Sequence, residues 1–218
     1  MTYTPEIIEQ YKNISTASIA DAVDQIVGKS GFMDFEVKPR INDRRIVGPA
    51  VTVKEVLTKE KVPPIHALEA VDESEAGSII VIGVEGSPKD VAVWGGLMAA
   101  GAIANKLEGA ILDAGVRDIT EIKRDFDFPV FSRSVSPATT VGRYKTEALN
   151  VPVVCGGITV NPGDLIIADP DGVVVVPASS IVEVLEFSQD IEAREAEQAK
   201  LILSEKSLRK GIEKFNRI

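Results

Sequence analysis

Residues 94–118, Trp94-Gly-Gly-Leu-Met-Ala-Ala-Gly-Ala-Ile-Ala-Asn-Lys-Leu-Glu-Gly-Ala-Ile-Leu-Asp-Ala-Gly-Val-Arg-Asp118, join a glycine-opened helix to a strand that stops on a charged pair. Upstream, Ser78-Ile-Ile-Val-Ile-Gly-Val84 reads as a buried strand, so the pattern predicts a strand, a helix over 90–107 and a second strand over 109–113. That order is a βαβ unit, with parallel strands and a right-handed crossover. A helix whose regular turns begin near Gly95 or Gly96 leaves the amides of Gly96, Leu97 and Met98 free at the positive end of its dipole. Arg117 and Asp118 follow an expected turn at Gly115, at the carboxyl end of a strand, where ligands lie in open α/β sheets. Amides, guanidinium and carboxylate therefore gather at one mouth.

Each element of that mouth also has a plainer explanation. Paired glycines can simply let a helix and a strand approach closely. Asp118-Ile-Thr-Glu121 reads as a capping box for a helix running through Phe126. Asp21, His66 and Asp113, taken singly, read as caps or satisfied core groups. In favour of chemistry, an Arg grips a carboxylate through two parallel hydrogen bonds, and a neighbouring carboxylate suits a hard divalent cation.

Working outward, Ser15 or Thr16 caps a helix whose Ile19, Val23 and Ile26 share a face and which Gly28 ends. Residues 46–53 read as a strand with a Gly-Pro interruption, and 64–72 as a short helix containing His66. In the second half, 129–131 and 151–160 are strand-like. The turns Asn161-Pro-Gly-Asp164 and Asp169-Pro-Asp-Gly172 separate strands over 165–167 and 173–176, which implies antiparallel pairing. A parallel βα layer beside an antiparallel layer gives a three-layer β/β/α arrangement, read as a single domain over 1–218 with 179–218 as a C-terminal helical extension. On that last helix Ile181, Val184, Ser188, Ile191, Glu195, Ala199 and Ile202 fall along one stripe. Glu195 thus either leans out to solvent or an arginine, or is delivered across a subunit boundary to a neighbour's site.

Bulk composition excludes several classes. The chain has 218 residues, 44% of them hydrophobic, enough to bury a sizeable core. A net charge of −9 argues against a nucleic-acid-tracking surface and permits a basic protein partner. The N-terminus lacks the basic start and apolar run of a signal peptide, and no stretch is apolar enough to span a membrane, so a cytoplasmic location is expected. One cysteine, Cys155, and one histidine leave no Cys/His zinc site.

Several segments together resemble the RraA-like family, which holds the 4-hydroxy-4-methyl-2-oxoglutarate/4-carboxy-4-hydroxy-2-oxoadipate aldolases and the regulators of ribonuclease E activity. They include Ser15-Thr-Ala-Ser-Ile-Ala-Asp-Ala22, Ile46-Val-Gly-Pro-Ala-Val-Thr-Val53, His66, Trp94-Gly-Gly-Leu97, Asp113-Ala-Gly-Val-Arg-Asp118, Val141-Gly-Arg143, Pro162-Gly-Asp164 and Asp169-Pro-Asp-Gly-Val173. The resemblance implies a β/β/α swivelling-domain fold, assembled as a homotrimer or homohexamer with sites between subunits. In the aldolase branch it implies a Mg²⁺- or Mn²⁺-dependent lyase that forms pyruvate from a 4-hydroxy-2-oxo acid. Oxaloacetate decarboxylation is a related activity, and both pass through a metal-stabilised pyruvate enolate. Arg117 would then bind the substrate's carboxylate or oxo oxygen, Asp118 the metal, and Gly95, Gly96, Leu97 and Met98 the pyruvate through backbone amides. Glu195 would match a glutamate contributed by an adjacent subunit.

The chain departs from this pattern at one position. The family's metal-dependent aldolases carry an acidic residue, then twenty arbitrary positions, then the Arg-Asp pair, and the acidic position is Gly96 here. The other branch implies a protein-binding regulator resembling the inhibitor of ribonuclease E, with no catalysis. A methyltransferase reading lacks the glycine-rich βα loop and following acid that S-adenosylmethionine needs. Substrate choice is expected to be set by loops around the mouth, including 30–45 and 134–145.

Overall fold

The computed structural model describes residues 4–215, so the reading of the first residues as leaderless and the last three positions of the helical tail lie outside the described residues. The chain begins with helices α1 (Pro5–Lys12) and α2 (Thr16–Val27). Ser15 caps α2 by accepting from the Ser18 amide, and Gly28 ends it in the left-handed region at φ 72°. The short strand β1 (Lys38–Pro39) leads to the long strand β2 (Ile46–Leu57), helix α3 (Ile65–Glu73) and strand β3 (Ile79–Val84). Strand β2 is not interrupted at Gly48-Pro49. A side chain at Gly48 would meet the Gly77 carbonyl at 2.2 Å, so the glycine there serves close approach of two backbones.

The predicted helix over 90–107 divides in two. Ala92–Trp94 is a strand, β4, and the helix α4 spans only Gly96–Ala104, with Gly95 at its N-cap. Val91 through Trp94 are all buried, which a one-sided helix could not achieve, and β4 runs parallel to β5 (Gly109–Val116). Strand β5 also passes straight through Gly115 rather than turning there. A side chain at Gly115 would lie 2.8 Å from the Val91 carbonyl and 2.9 Å from Ser134 Oγ, so this glycine lets β5 fit between its neighbours.

A short turn of helix, α5 (Ile119–Glu121), continues as a π-helical turn over Ile122–Phe126. Next come β6 (Val130–Val135), β7 (Tyr144–Leu149), β8 (Val153–Cys155), β9 (Ile158–Val160), β10 (Leu165–Asp169) and β11 (Gly172–Val176). The main sheet runs β1-β6-β5-β3-β2-β10-β11, with β4 on β5 and β7 on β2. Pairs β2–β3, β3–β5 and β5–β6 are parallel, and β10 pairs antiparallel with both β2 and β11. The 151–160 stretch is a separate β8–β9 hairpin turned by Gly156 and Gly157, both at positive φ.

The sheet nearly closes on itself. Just ahead of β1, the Met33 amide donates to the Val173 carbonyl and the Val175 amide to the Gly31 carbonyl, linking one sheet edge to the other. Inside the curl, Ile46, Ile79, Val81, Ile111, Phe131, Ile166 and Val175 form one core with Val153 and Cys155 of the hairpin. A second core lies between the parallel strands and α3 and α4, and a third packs α1, α2 and the C-terminal helix α6 (Ile181–Glu205) on β10 and β11. This is the three-layer β/β/α architecture.

Helix α6 stops at Lys206, left-handed at φ 49°, and α7 (Leu208–Phe215) folds back on it, so the tail is two helices rather than one. Ser15 donates its amide to Glu192 Oε1 at 2.7 Å, fastening α2 to α6. No helix among the described residues is long and apolar enough to cross a membrane.

Candidate active site

Strands β4 and β5 end together, and that shared end builds the site. The Arg117 amide donates to the Trp94 carbonyl at 3.0 Å, so the residues after β5 lie against the strand-to-helix join at Gly95. Asp118 then takes a left-handed backbone, φ 58°, which sends the chain into α5. Its side chain makes no cap to α5, which overturns the capping-box reading. Asp118 Oδ2 instead accepts from the Gly96 amide at 2.9 Å and lies 3.6 Å from Arg117 Nε.

This arrangement leaves the Leu97 and Met98 amides at the start of α4 without an acceptor among the described residues. Arg117 and Asp118 keep side-chain exposures of 42% and 41%, enough to meet a ligand from solvent. The two glycines play different parts. A Cβ at Gly95 would sit 2.7 Å from Asp118 Oδ2 and 3.1 Å from Arg117 Nε, so only glycine permits the pair to close over the helix start. At Gly96 a Cβ would find Asp118 no nearer than 3.7 Å, so a side chain fits there.

These residues line a cleft of about 320 Å³ that also takes in Pro63, Pro64, Leu68, Thr139, Thr140 and Val141. Of the two loops expected to shape the mouth, 134–145 contributes. From the other, Phe32, Met33, Asp34, Phe35, Val37 and Lys38 line a separate cleft with Thr16 and Asp171. Sequence reasoning missed Pro63, Pro64 and Leu68; the Pro-Pro pair marks a break just before α3 and was the available signal. Beneath the cleft Trp94 stacks on Phe128, centroids 5.8 Å apart, and its buried Nε1 has no hydrogen-bond partner among the described residues.

Gly95, Gly96, Leu97, Met98, Arg117 and Asp118 are therefore brought together, and Glu195 is not. The buried stripe of α6 runs Ile181, Val184, Ser188 and Ile191, then passes to Gln198, leaving Glu195 exposed. Its expected place on the apolar face is incorrect because contact beyond Ile191 follows α7, whose Gly211 lies against Ile202 and Gln198. Asp21 is exposed on α2, and His66 Nδ1 sits 3.1 Å from Thr146 Oγ1, outside the cleft lining.

Asp113 is a satisfied core group. It accepts from Arg133 Nε at 2.7 Å, the Gly156 amide at 2.9 Å and Ser87 Oγ at 2.6 Å. A more unusual buried acid is Glu55 on β2, 1% exposed, with neither carboxylate oxygen hydrogen-bonded among the described residues. Burial pushes its pKa up to about 8.

No group of three or more His, Cys, Asp or Glu side chains that could hold a metal occurs among the described residues. A Mg²⁺-like cation nevertheless fits the cleft. Such ions keep several waters and bind through one or two carboxylates plus substrate oxygens, and Asp118 offers one half-exposed carboxylate beside a cationic grip for an oxoacid.

Residues 16–175 match a family model described as RraA-like, Aldolase/RraA. Protein DlpA of Legionella pneumophila is 30% identical over 212 residues, which cover 97% of this chain and 34% of DlpA, so the chain spans about a third of that relative. A protein of Halalkalibacterium halodurans named "Putative 4-hydroxy-4-methyl-2-oxoglutarate aldolase" is 33% identical over 197 residues, 87% of each chain. A crystal structure of an uncharacterized protein from Pseudomonas syringae superposes with a TM-score of 0.84 at 30% identity, covering 96% of this chain and 93% of that one.

Proposed function

Because the chain belongs to the RraA-like family, we propose that the Arg117–Asp118 cleft is the site of a divalent-metal-dependent lyase that forms pyruvate from a 4-hydroxy-2-oxo acid and decarboxylates oxaloacetate. The observation that carries this reading is the convergence of Arg117, Asp118 and the free amides of Leu97 and Met98 on one cleft. Arg117 grips the substrate carboxylate. The Leu97 and Met98 amides face the C2 oxygen, where negative charge builds as the bond beyond C3 breaks and its electron pair moves toward C2. Asp118 would hold Mg²⁺ or Mn²⁺, which supplies Lewis-acid stabilisation of that charge when bound. Trp94, Leu68 and Val141 keep the surroundings apolar, which strengthens each of these interactions.

In aldol cleavage the C4 hydroxyl gives its proton to water as the C3–C4 bond breaks and a carbonyl product leaves, in decarboxylation CO2 leaves, and in both a proton must then return to C3. The family's acid at position 96 is missing, so a water has to deliver it and turnover is slow. The exposed Glu195 on α6 belongs in this scheme to the site of a second copy within a homotrimer or homohexamer. The test is pyruvate release from oxaloacetate, dependent on added Mg²⁺ or Mn²⁺ and lost in Arg117→Ala.

The acid-free Gly96 and the charge of −9 favour a second reading, a protein-binding regulator without catalysis. In that case Arg117→Ala changes no activity, and capture of a Lys/Arg-rich partner replaces it as the assay. A cytoplasmic location accompanies either reading.

A further inference from the structure

We infer that Arg143 binds the far carboxylate of a 4-hydroxy-2-oxo acid that carries one on C4, and that this contact favours aldol cleavage over decarboxylation; the inference rests on the oxoacid reading above. Arg117 takes the first carboxylate, and Asp118 is engaged by the cation. Among the described residues the cleft lining holds no further cationic side chain, so a second carboxylate must be met at the rim. Arg143 stands there. Thr139, Thr140 and Val141, the residues just ahead of it, line the cleft, and the Thr140 carbonyl accepts from the Arg143 amide at 2.8 Å in a tight turn. The Gly142 amide donates to the Glu60 carbonyl at 3.2 Å and the Thr58 amide to the Arg143 carbonyl at 2.9 Å, bracing this turn against the segment that leads to Pro63 and Pro64 of the lining. The backbone is held while the side chain stays exposed. Its Nη1 donates to the Thr139 carbonyl at 3.0 Å, and no carboxylate pairs with it among the described residues. A guanidinium has five N–H donors, so most of them remain for a ligand.

The two reactions treat the far carboxylate differently. When the C3–C4 bond of a 4-carboxylated 4-hydroxy acid breaks, its electron pair moves toward C2, the C4 hydroxyl gives its proton to water, and the departing carbonyl product keeps the carboxylate. A cation can hold that group from binding to release. In oxaloacetate the far carboxylate is itself lost as CO2, its charge passing to C2. A guanidinium bonded to it stabilises a charge that the transition state is giving up, so the contact favours the ground state and slows the step. Lys61 is also exposed and lies against the same turn, its Cγ 3.7 Å from where a Gly142 side chain would begin. Its ammonium is a point charge, whereas the arginine fork matches a carboxylate through two parallel hydrogen bonds.

The test compares the full chain with its Arg143→Gln, Arg143→Lys and Lys61→Gln variants under saturating Mg²⁺, measuring pyruvate release from 4-hydroxy-4-methyl-2-oxoglutarate and from oxaloacetate. Arg143→Gln should lower kcat/KM for the first substrate at least about tenfold while that for oxaloacetate holds or rises. Arg143→Lys, which keeps the charge, should recover part of the loss, and Lys61→Gln should leave the ratio of the two activities unchanged. Calorimetric titration gives a second readout: Arg143→Gln should weaken binding of the unreactive dicarboxylate 2-oxoglutarate by a similar factor and leave pyruvate binding as it was, a split that a folding defect would not produce. Equal losses on both substrates, no loss on either, or the split appearing in Lys61→Gln instead overturns the role of Arg143 and leaves the oxoacid reading intact. Failure of the unmodified chain to bind pyruvate overturns both.

Discussion

Asp118 Oδ2 accepts the Gly96 amide hydrogen at 2.9 Å, tying the end of β5 to the first turn of α4. The same carboxylate is the one assigned to the cation, so its structural and chemical duties can be separated by substitution. Asp118→Asn keeps an oxygen acceptor for Gly96 and loses the charge; Asp118→Ala loses both. Thermal melts should place Asp118→Ala about 1 kcal/mol below the parent and Asp118→Asn closer to it. Metal-dependent pyruvate release should disappear in both. Full activity in Asp118→Asn would show that the negative charge is not used.

The two glycines at the helix start make opposite predictions. Gly95→Ala forces a Cβ to within 2.7 Å of Asp118 Oδ2, so the charged pair must shift and activity should fall on the order of 100-fold. Gly96→Asp has room and restores the family's acid, so pyruvate release from oxaloacetate under saturating Mg²⁺ or Mn²⁺ should rise at least about tenfold. No gain would show that proton delivery from this position does not limit the site.

Glu55 sets a pH dependence of stability. Its pKa in the fold is about 8 against an ordinary value of 4.5, so between those limits the folded chain holds a proton that the unfolded chain has released. The contribution of this group is therefore fully present below about pH 4.5 and is lost as pH rises through 8. Glu55→Gln removes the linkage. Its melting temperature should gain on the parent between about pH 5 and pH 8, and parallel pH profiles would rule out a buried, unpaired carboxyl.

Much of this was legible in the sequence because the relevant signals are local. The all-apolar run 79–84, the Gly95-Gly96 pair and the turns 161–164 and 169–172 locate strands, the helix start and antiparallel pairing without tertiary information. Val91 to Trp94 was misread because a short fully buried strand and a buried helix turn share the same apolar pattern. Asp118 reads as a cap by spacing, and only its left-handed backbone turns the carboxylate toward Gly96. Glu55 stayed hidden for a similar reason: burial on β2 depends on what packs over the strand, and a lone acid after Lys54 carries no local mark of that.

The Asp113–Arg133 pair should act on stability rather than chemistry. Its side chains are 2% and 8% exposed, and Arg133 also reaches Asp34 and Glu36, fastening the segment before β1 to the sheet. Asp113→Ala removes the most buried of the guanidinium's three carboxylate partners and the acceptor of the Gly156 amide, and should cost about 1–3 kcal/mol in chemical denaturation. A loss below about 1 kcal/mol would mean that water already compensates the arginine.

The central claim is that Asp118 holds a divalent cation beside an oxoacid gripped by Arg117. The most direct measurement is a crystal soaked with Mn²⁺ and pyruvate, read by the anomalous signal of manganese. The account predicts a manganese peak bonded to an Asp118 carboxylate oxygen, with the pyruvate carboxylate on Arg117 and an oxygen facing the Leu97 and Met98 amides. Pyruvate bound with no manganese at Asp118, or manganese located elsewhere, would contradict it.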